Sequence, residues 1–236
     1  VKSPNRFSQV EKHAEWLVQE GTPQNISNTV WAFATLGIES PNLFTCIDVH
    51  REKLLQNGNV QDWCNTCYAI AVMDVGKIHS NLLVDMWSRA LKANVSSLGT
   101  EDLRQLAQVE AFTKADGIEL DEPSSKLRQR MGSIKTKDQN TASGSQKQIS
   151  GMLTELGFSH ENEVPPLEKW SMGDMLAIDM ACPKQKIAIE FDGPFHYLKE
   201  VGTGDVTRVE NGATKAKRRF LERVGWKVIN LNYQDW

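Results

Sequence analysis

No stretch of this 236-residue sequence is apolar for the ~20 residues that a membrane-spanning helix needs, so no segment reads as membrane-inserted. Neither sign of charge is in excess. The 27 Lys and Arg against 30 Asp and Glu leave a formal net charge of −3, so any nucleic-acid role has to rest on local patches and not on the bulk field. Cysteine is sparse: Cys46, Cys64, Cys67 and Cys182. Cys64 and Cys67 form a lone CxxC without the second pair that a structural zinc site requires. They read as two buried helix thiols in a reducing compartment. Val1 carries no initiator methionine and no signal-peptide h-region follows it. The expectation is either a chain whose targeting segment has been removed or a piece of a longer one. What is present is ordinary globular material, 40% hydrophobic and 24% charged, enough for one large domain or two small ones.

The first half repeats itself. NTVWAFA at residues 28–34 matches NTCYAIA at residues 65–71, and NLF at residues 42–44 matches NLL at residues 81–83. Asn25 and Asp62 stand in equivalent places and are expected to be N-caps. Each unit reads as helix, turn, helix. Val30, Phe33 and Ala34, then Cys67, Ile70 and Ala71, form an Ala/aromatic stripe on the first helix, and residues 42–55 and 81–93 give the second. A degenerate third copy begins at residues 100–115 with Leu103, Leu106, Ala107, Glu110 and Ala111 at helical spacing. One helix pair cannot bury its apolar face alone, so residues 1–120 are expected to stack as an α-solenoid. A plain helical bundle is the alternative.

Residues 121–146 are poor in large apolar side chains and are expected to be a polar linker. Lys126, Arg128, Arg130, Lys135 and Lys137 make it locally basic: a solvated tether, or a strap over phosphates. From residue 147 to 236 the pattern becomes an α/β module. A helix at 146–156 carries Ile149, Met152, Leu153 and Leu156 on one face and stops at Gly157. Strands follow at 175–181 and 186–192, then a helix at 213–224 and a strand at 226–231.

Three blocks of this module carry a family likeness. They are IAIEFDGPFHY at residues 187–197, NGAT followed by KAKRRFL at residues 211–221, and GWKVINLNYQDW at residues 225–236. In that order they resemble the RAP domain. The resemblance implies a restriction-endonuclease-like fold and association with RNA. The helix pairs are similar to the heptatricopeptide and octotricopeptide repeats that often precede such a domain. Together these imply an organellar protein, mitochondrial in the first instance with the chloroplast or another plastid as the alternative. It would act on rRNA or mRNA in RNA processing, stability or translation.

The residues themselves set up a chemical question. A two-residue turn at Lys184 and Gln185 brings Asp179 opposite Glu190, with Asp192 on the same face. Opposed carboxylates repel, so they need Mg²⁺ or Mn²⁺, or cations from the helix at 215–219. The arrangement resembles the PD-(D/E)xK nuclease site, with Asp192 where that site has its lysine. An Asp cannot supply the positive charge that stabilises an attacking hydroxide. No cofactor is therefore expected, with Mg²⁺ entering only if the site is active. His196 is a candidate base or RNA contact, alongside a structural reading. Lys215, Lys217, Arg218, Arg219 and Arg223 form a basic helix face, either a phosphate track or ion-pair partners of the acids. Trp226 reads as a core anchor, Tyr233 and Trp236 as candidate base-stacking rings, and Trp31, Trp63 and Trp87 as packing residues. The expected function is non-catalytic RNA binding. The alternatives are a structural part of a mitochondrial or other organellar ribosome, with ribosomal proteins as partners, and a Mg²⁺-dependent ribonuclease using Asp179 and Glu190.

Overall fold

Short polar side chains set where the N-terminal helices begin. The computed structural model describes residues 4–134, 144–169, 172, 175–200 and 202–236. At the start of α3 (Pro23–Leu36) the Thr22 hydroxyl accepts from the Asn25 amide, and the Asn25 side chain accepts from the Thr22 amide. Asn59 and Asp62 repeat this box at α6 (Val60–Val72). In α8 (Thr100–Ala115) half of it survives, with Asp102 accepting from the Gly99 amide at 2.8 Å. Such boxes satisfy donors that a helix start leaves open. The expected caps Asn25 and Asp62 thus lie three residues inside their helices, because Thr22 and Asn59 take the cap.

These three helices lie side by side. Ala34, Ala69 and Ala107 are fully buried and let the backbones approach. An amide ladder crosses all three: Gln105 donates to Asn65 at 2.9 Å, and Asn65 donates to Asn28 at 3.3 Å. Behind them run α4 (Pro41–Val49), α5 (Glu52–Asn57) and α7 (Ser80–Lys92). The single helix expected over 42–55 is therefore two, divided at His50 and Arg51. Before the first pair come α1 (Pro4–Lys12) and α2 (Ala14–Glu20). The Glu11 carboxylate accepts from the Asn42 and Leu43 amides and so caps α4.

The polar linker expected from residue 121 differs in its first part. Ser125–Gly132 is a helix, α9, packed on α8 as the second member of a third pair. Leu127, Met131 and Ile134 recur on one side and are buried, which is enough to dock a helix that is polar elsewhere. Arg128 pairs with Glu110 and Glu122, and Arg130 donates to the carbonyls of Val95 and Leu98. Lys135 and Lys137 lie outside the described residues.

The C-terminal part is a small sheet between helices. Its strand order is β1 (Glu161–Val164), β2 (Ile178–Cys182), β3 (Ile187–Asp192), β6 (Lys227–Asn232). The first three are antiparallel, and β3 and β6 are parallel. Strands β4 (Tyr197–Lys199) and β5 (Val206–Glu210) form a separate pair. α10 (Gly144–Glu155) covers one sheet face through Ile149 and Leu153 against Met180, Ile189 and Phe191. α11 (Gly212–Arg223) covers the other, and its Ala216, Phe220 and Leu221 join the core of the helical region. Phe220 meets Phe112 of α8 with ring centroids 5.8 Å apart. Trp226 is buried as expected and donates to the Pro166 carbonyl at 2.8 Å.

The start of α11 touches the end of α3. Gly37, left-handed at φ 62°, closes α3, and a Cβ on Gly212 would stand 1.7 Å from the Ala34 carbonyl oxygen. Gly212→Ala is expected to push α11 off α3 at a cost of about 2 kcal/mol or more. Urea denaturation should read it as a lower midpoint. An unchanged midpoint would mean that this approach contributes nothing to stability.

Candidate nucleic-acid interface

The cations of α11 do not form one free face. Lys215, Arg219 and Arg223 recur every four residues and point into the helical region. The Lys215 ammonium lies 3.4 Å from the Gly37 carbonyl at the end of α3. Arg219 donates to the Ala71 and Val72 carbonyls at the end of α6, at 2.8 and 3.1 Å. Arg223 binds Asp74 just beyond α6 and Asp116 at the end of α8. The C-terminal ends of helices carry unpaired carbonyls and partial negative charge, and three side chains of one helix answer three such ends. Burial works to raise the Asp74 carboxyl, but its hydrogen bond from Arg223 and the Arg219 charge hold it below the usual range. Lys215, Arg219 and Arg223, expected as part of a phosphate track, therefore bind this protein's own carbonyls and carboxylates.

Lys217 and Arg218 turn toward the sheet and the β4–β5 pair. Arg218 pairs with Glu210 at 2.6 Å. Lys217 donates to Glu190 at 2.6 Å and to the Ala177 carbonyl at 2.7 Å. The hairpin register pairs Met180 with Ile189, and one step further places Asp179 opposite Glu190, as the turn predicts. Burial lifts the Glu190 carboxyl to about 7 against the pull of Lys217, and Asp179 and Asp192 add to the rise. Burial alone would lower Lys217, yet Glu190 and Asp179 hold it above the usual lysine value. Lys217 thus stays charged, and Glu190 is the member that takes a proton near neutrality.

Each of these acids already has hydrogen-bond partners within the protein. Asp179 accepts from the Phe191 amide at 2.8 Å, and Lys217 lies on one oxygen of Glu190. Asp192 takes Asn230 at 2.6 Å and the His196 Nδ1 at 3.1 Å. Only Glu190 Oε1 is buried without a partner among these carboxylate oxygens. Among the described residues no three His, Cys, Asp or Glu side chains converge as metal donors. The acids are compensated by Lys217 of α11 and by hydrogen bonds.

At the carboxyl ends of β3 and β6 lies a different group. A one-turn 3-10 helix, Pro194–His196, follows β3. His196 Nδ1 faces inward, 3.1 Å from buried Asp192 and 3.0 Å from the Thr214 hydroxyl. Asn211 caps α11 and donates to the Phe195 carbonyl at 2.8 Å. Tyr233 packs against Tyr197 with centroids 6.0 Å apart, and Trp236 is half exposed. In α/β sheets, ligands bind beyond the carboxyl ends of parallel strands. Sequence reasoning found His196 but not its supports Asn211, Thr214 and Asn230. An Asn three residues before a Thr at a helix start is the signal for the first two. For Asn230 the sequence carries none.

Residues 189–236 match the RAP domain family, taking in the end of β3, this turn, α11 and β6. This segment is a RAP domain. The matched stretch is shorter than the 147–236 module expected, leaving α10, β1 and β2 outside it. A chloroplastic RAP domain-containing protein of Oryza sativa subsp. japonica is 28% identical over 107 residues. Those residues are 45% of this chain and 15% of the rice protein, so the chain spans a small part of that relative's length.

The buried Lys217–Glu190 pair inside the RAP domain sets two expectations. The folded pKa of Glu190 lies above its unfolded value of 4.5. The folded state therefore holds more protons than the unfolded one between pH 4.5 and about 7, and stability should fall as pH rises through this window, by no more than about 3 kcal/mol. Glu190→Gln should flatten that slope in denaturation curves taken across the window, and a slope that persists would assign it to another group. Lys217→Ala strands Glu190 and should cost about 3 kcal/mol or more, readable as a drop in urea midpoint. A loss under about 1 kcal/mol would mean that water replaces the ammonium.

Proposed function

We propose that this chain is a non-catalytic RNA-binding unit of an organellar protein. The RAP domain at residues 189–236 carries this reading. The stacked helix pairs support it as a short repeat array of the solenoid kind joined to a domain of nuclease-like ancestry. Catalysis is disfavoured by the position of the cations. Asp192 stands where a PD-(D/E)xK enzyme holds its lysine, and Lys217 is bound to Glu190 and a carbonyl, so neither supplies a charge for an attacking hydroxide. The chloroplastic naming of the rice relative favours a plastid over the mitochondrion.

A second reading has its own support. With Lys215, Arg219 and Arg223 directed inward, the α11 face has little charge left for free RNA. A fixed place in an organellar ribosome or similar assembly, beside ribosomal proteins, asks less of that charge.

The two readings separate in one experiment. The purified chain is titrated against labelled single-stranded RNA at 50 and 200 mM salt with Mg²⁺ present, and the recovered RNA is run on a denaturing gel. Binding that weakens with salt while the RNA stays intact is the expected outcome. Intact RNA with no binding at low salt would leave the assembly reading. Shortened RNA, abolished by Glu190→Ala, would overturn the non-catalytic one.

A further inference from the structure

The most exposed large apolar side chain among the described residues is an aromatic ring on a fixed turn. Phe195 is 86% exposed. Three hydrogen bonds hold the backbone beneath it. The His196 amide donates to the Gly193 carbonyl at 3.0 Å, the Asn211 amide to the His196 carbonyl at 2.9 Å, and the Asn211 side chain to the Phe195 carbonyl at 2.8 Å. Leu156 and Ile78 are exposed to similar extents, 82% and 75%, but an aliphatic side chain has no face on which a base can stack. Phe195 combines a π-face with a backbone already ordered, so little is lost in freezing it on a ligand.

Its neighbour supplies the second contact. Nδ1 stands 3.0 Å from the Thr214 hydroxyl, which gives its own hydrogen to the His196 carbonyl, and 3.1 Å from the buried Asp192 carboxylate, and these neighbours place the proton of a neutral His196 ring on Nδ1. The opposite nitrogen, Nε2, is then an acceptor, on a side chain that is 39% exposed. A phosphate oxygen has no hydrogen to offer an acceptor. A ribose 2′-hydroxyl does, and a deoxyribose has none.

We infer that the Pro194–His196 turn is a single-nucleotide site for unpaired RNA, in which a base stacks on Phe195 and the ribose 2′-hydroxyl donates to His196 Nε2. The site rests on the RNA-binding reading and gives it a location at the carboxyl ends of β3 and β6, away from the α11 cations bound inside the protein. It also supplies RNA-over-DNA selectivity without a surplus of positive charge.

The test uses fluorescence anisotropy with the full chain and end-labelled single strands of one sequence, as RNA and as DNA. Phe195→Ala should weaken RNA binding roughly 10-fold, in line with the loss of one stacked base. Phe195→Trp should keep it. His196→Ala should shrink the ratio of RNA to DNA affinity, a readout that simple loosening of the turn would not move. Circular dichroism checks that each variant is folded. Wild-type chain that binds RNA while Phe195→Ala binds it equally well would overturn the site and leave RNA binding standing elsewhere. The same holds if Phe195→Trp is as weak as Phe195→Ala, because stacking would then not be the cause. An unchanged RNA-to-DNA ratio in His196→Ala would remove the ribose contact. Wild-type chain that binds no RNA would bring down the underlying reading together with the site.

Discussion

The position of α11 across the ends of α3, α6 and α8 is the constraint on which the remaining structure depends. Three helices stacked side by side leave three sets of unpaired carbonyls along one edge. Lys215, Arg219 and Arg223 meet that edge at three successive turns of α11. Between them Ala216 and Phe220 bury apolar surface in the same seam. On its far side α11 carries Lys217 to Glu190 and so fixes β3. One helix thereby belongs to both halves of the molecule. That explains why the C-terminal sheet has no separate core on this side: Ala188 and Ala181 pack into the same apolar cluster as the helix pairs.

The acids opposite α11 illustrate how opposed carboxylates can be held inside a fold. Two opposed carboxylates and a third on the same face need compensation. The structure provides it with a buried ammonium and with amide donors from Asn230 and the Phe191 backbone. These acids orient Lys217 and, through Asp192, the His196 ring.

Much of this was legible beforehand, and the gaps have physical causes. The repeat of NTVWAFA and NTCYAIA located α3 and α6, and the motif blocks located α11 and β6 to within about one residue. The turn at Lys184 and Gln185 fixed the facing of Asp179 and Glu190, because the turn length sets the register of a hairpin. Helix α9 escaped notice because Leu127, Met131 and Ile134 are diluted among polar residues, and a one-sided helix needs no more than these. The N-caps were placed one turn late because Asn25 and Asp62 are themselves capping residues in the second role of the box. The cations of α11 were recognised as a helix face, but a sequence does not state what lies opposite a face. Phe195 gave no signal, since exposure is a property of the folded turn.

The amide ladder has a direction. Gln105 gives a hydrogen to Asn65 and Asn65 gives one to Asn28, so each rung faces the same way. At the Gln105 end the carbonyl oxygen is buried without a partner, and the chain beyond α8 turns through α9 toward the sheet. At the Asn28 end the amide is exposed to solvent. The stack is therefore polar in the sense of a filament with unlike tips. A further helix bearing an acceptor at the matching place would lengthen the ladder at Asn28 without disturbing a single contact of α11, whereas an insertion between α3 and α8 would throw the four-residue rhythm of Lys215, Arg219 and Arg223 out of step.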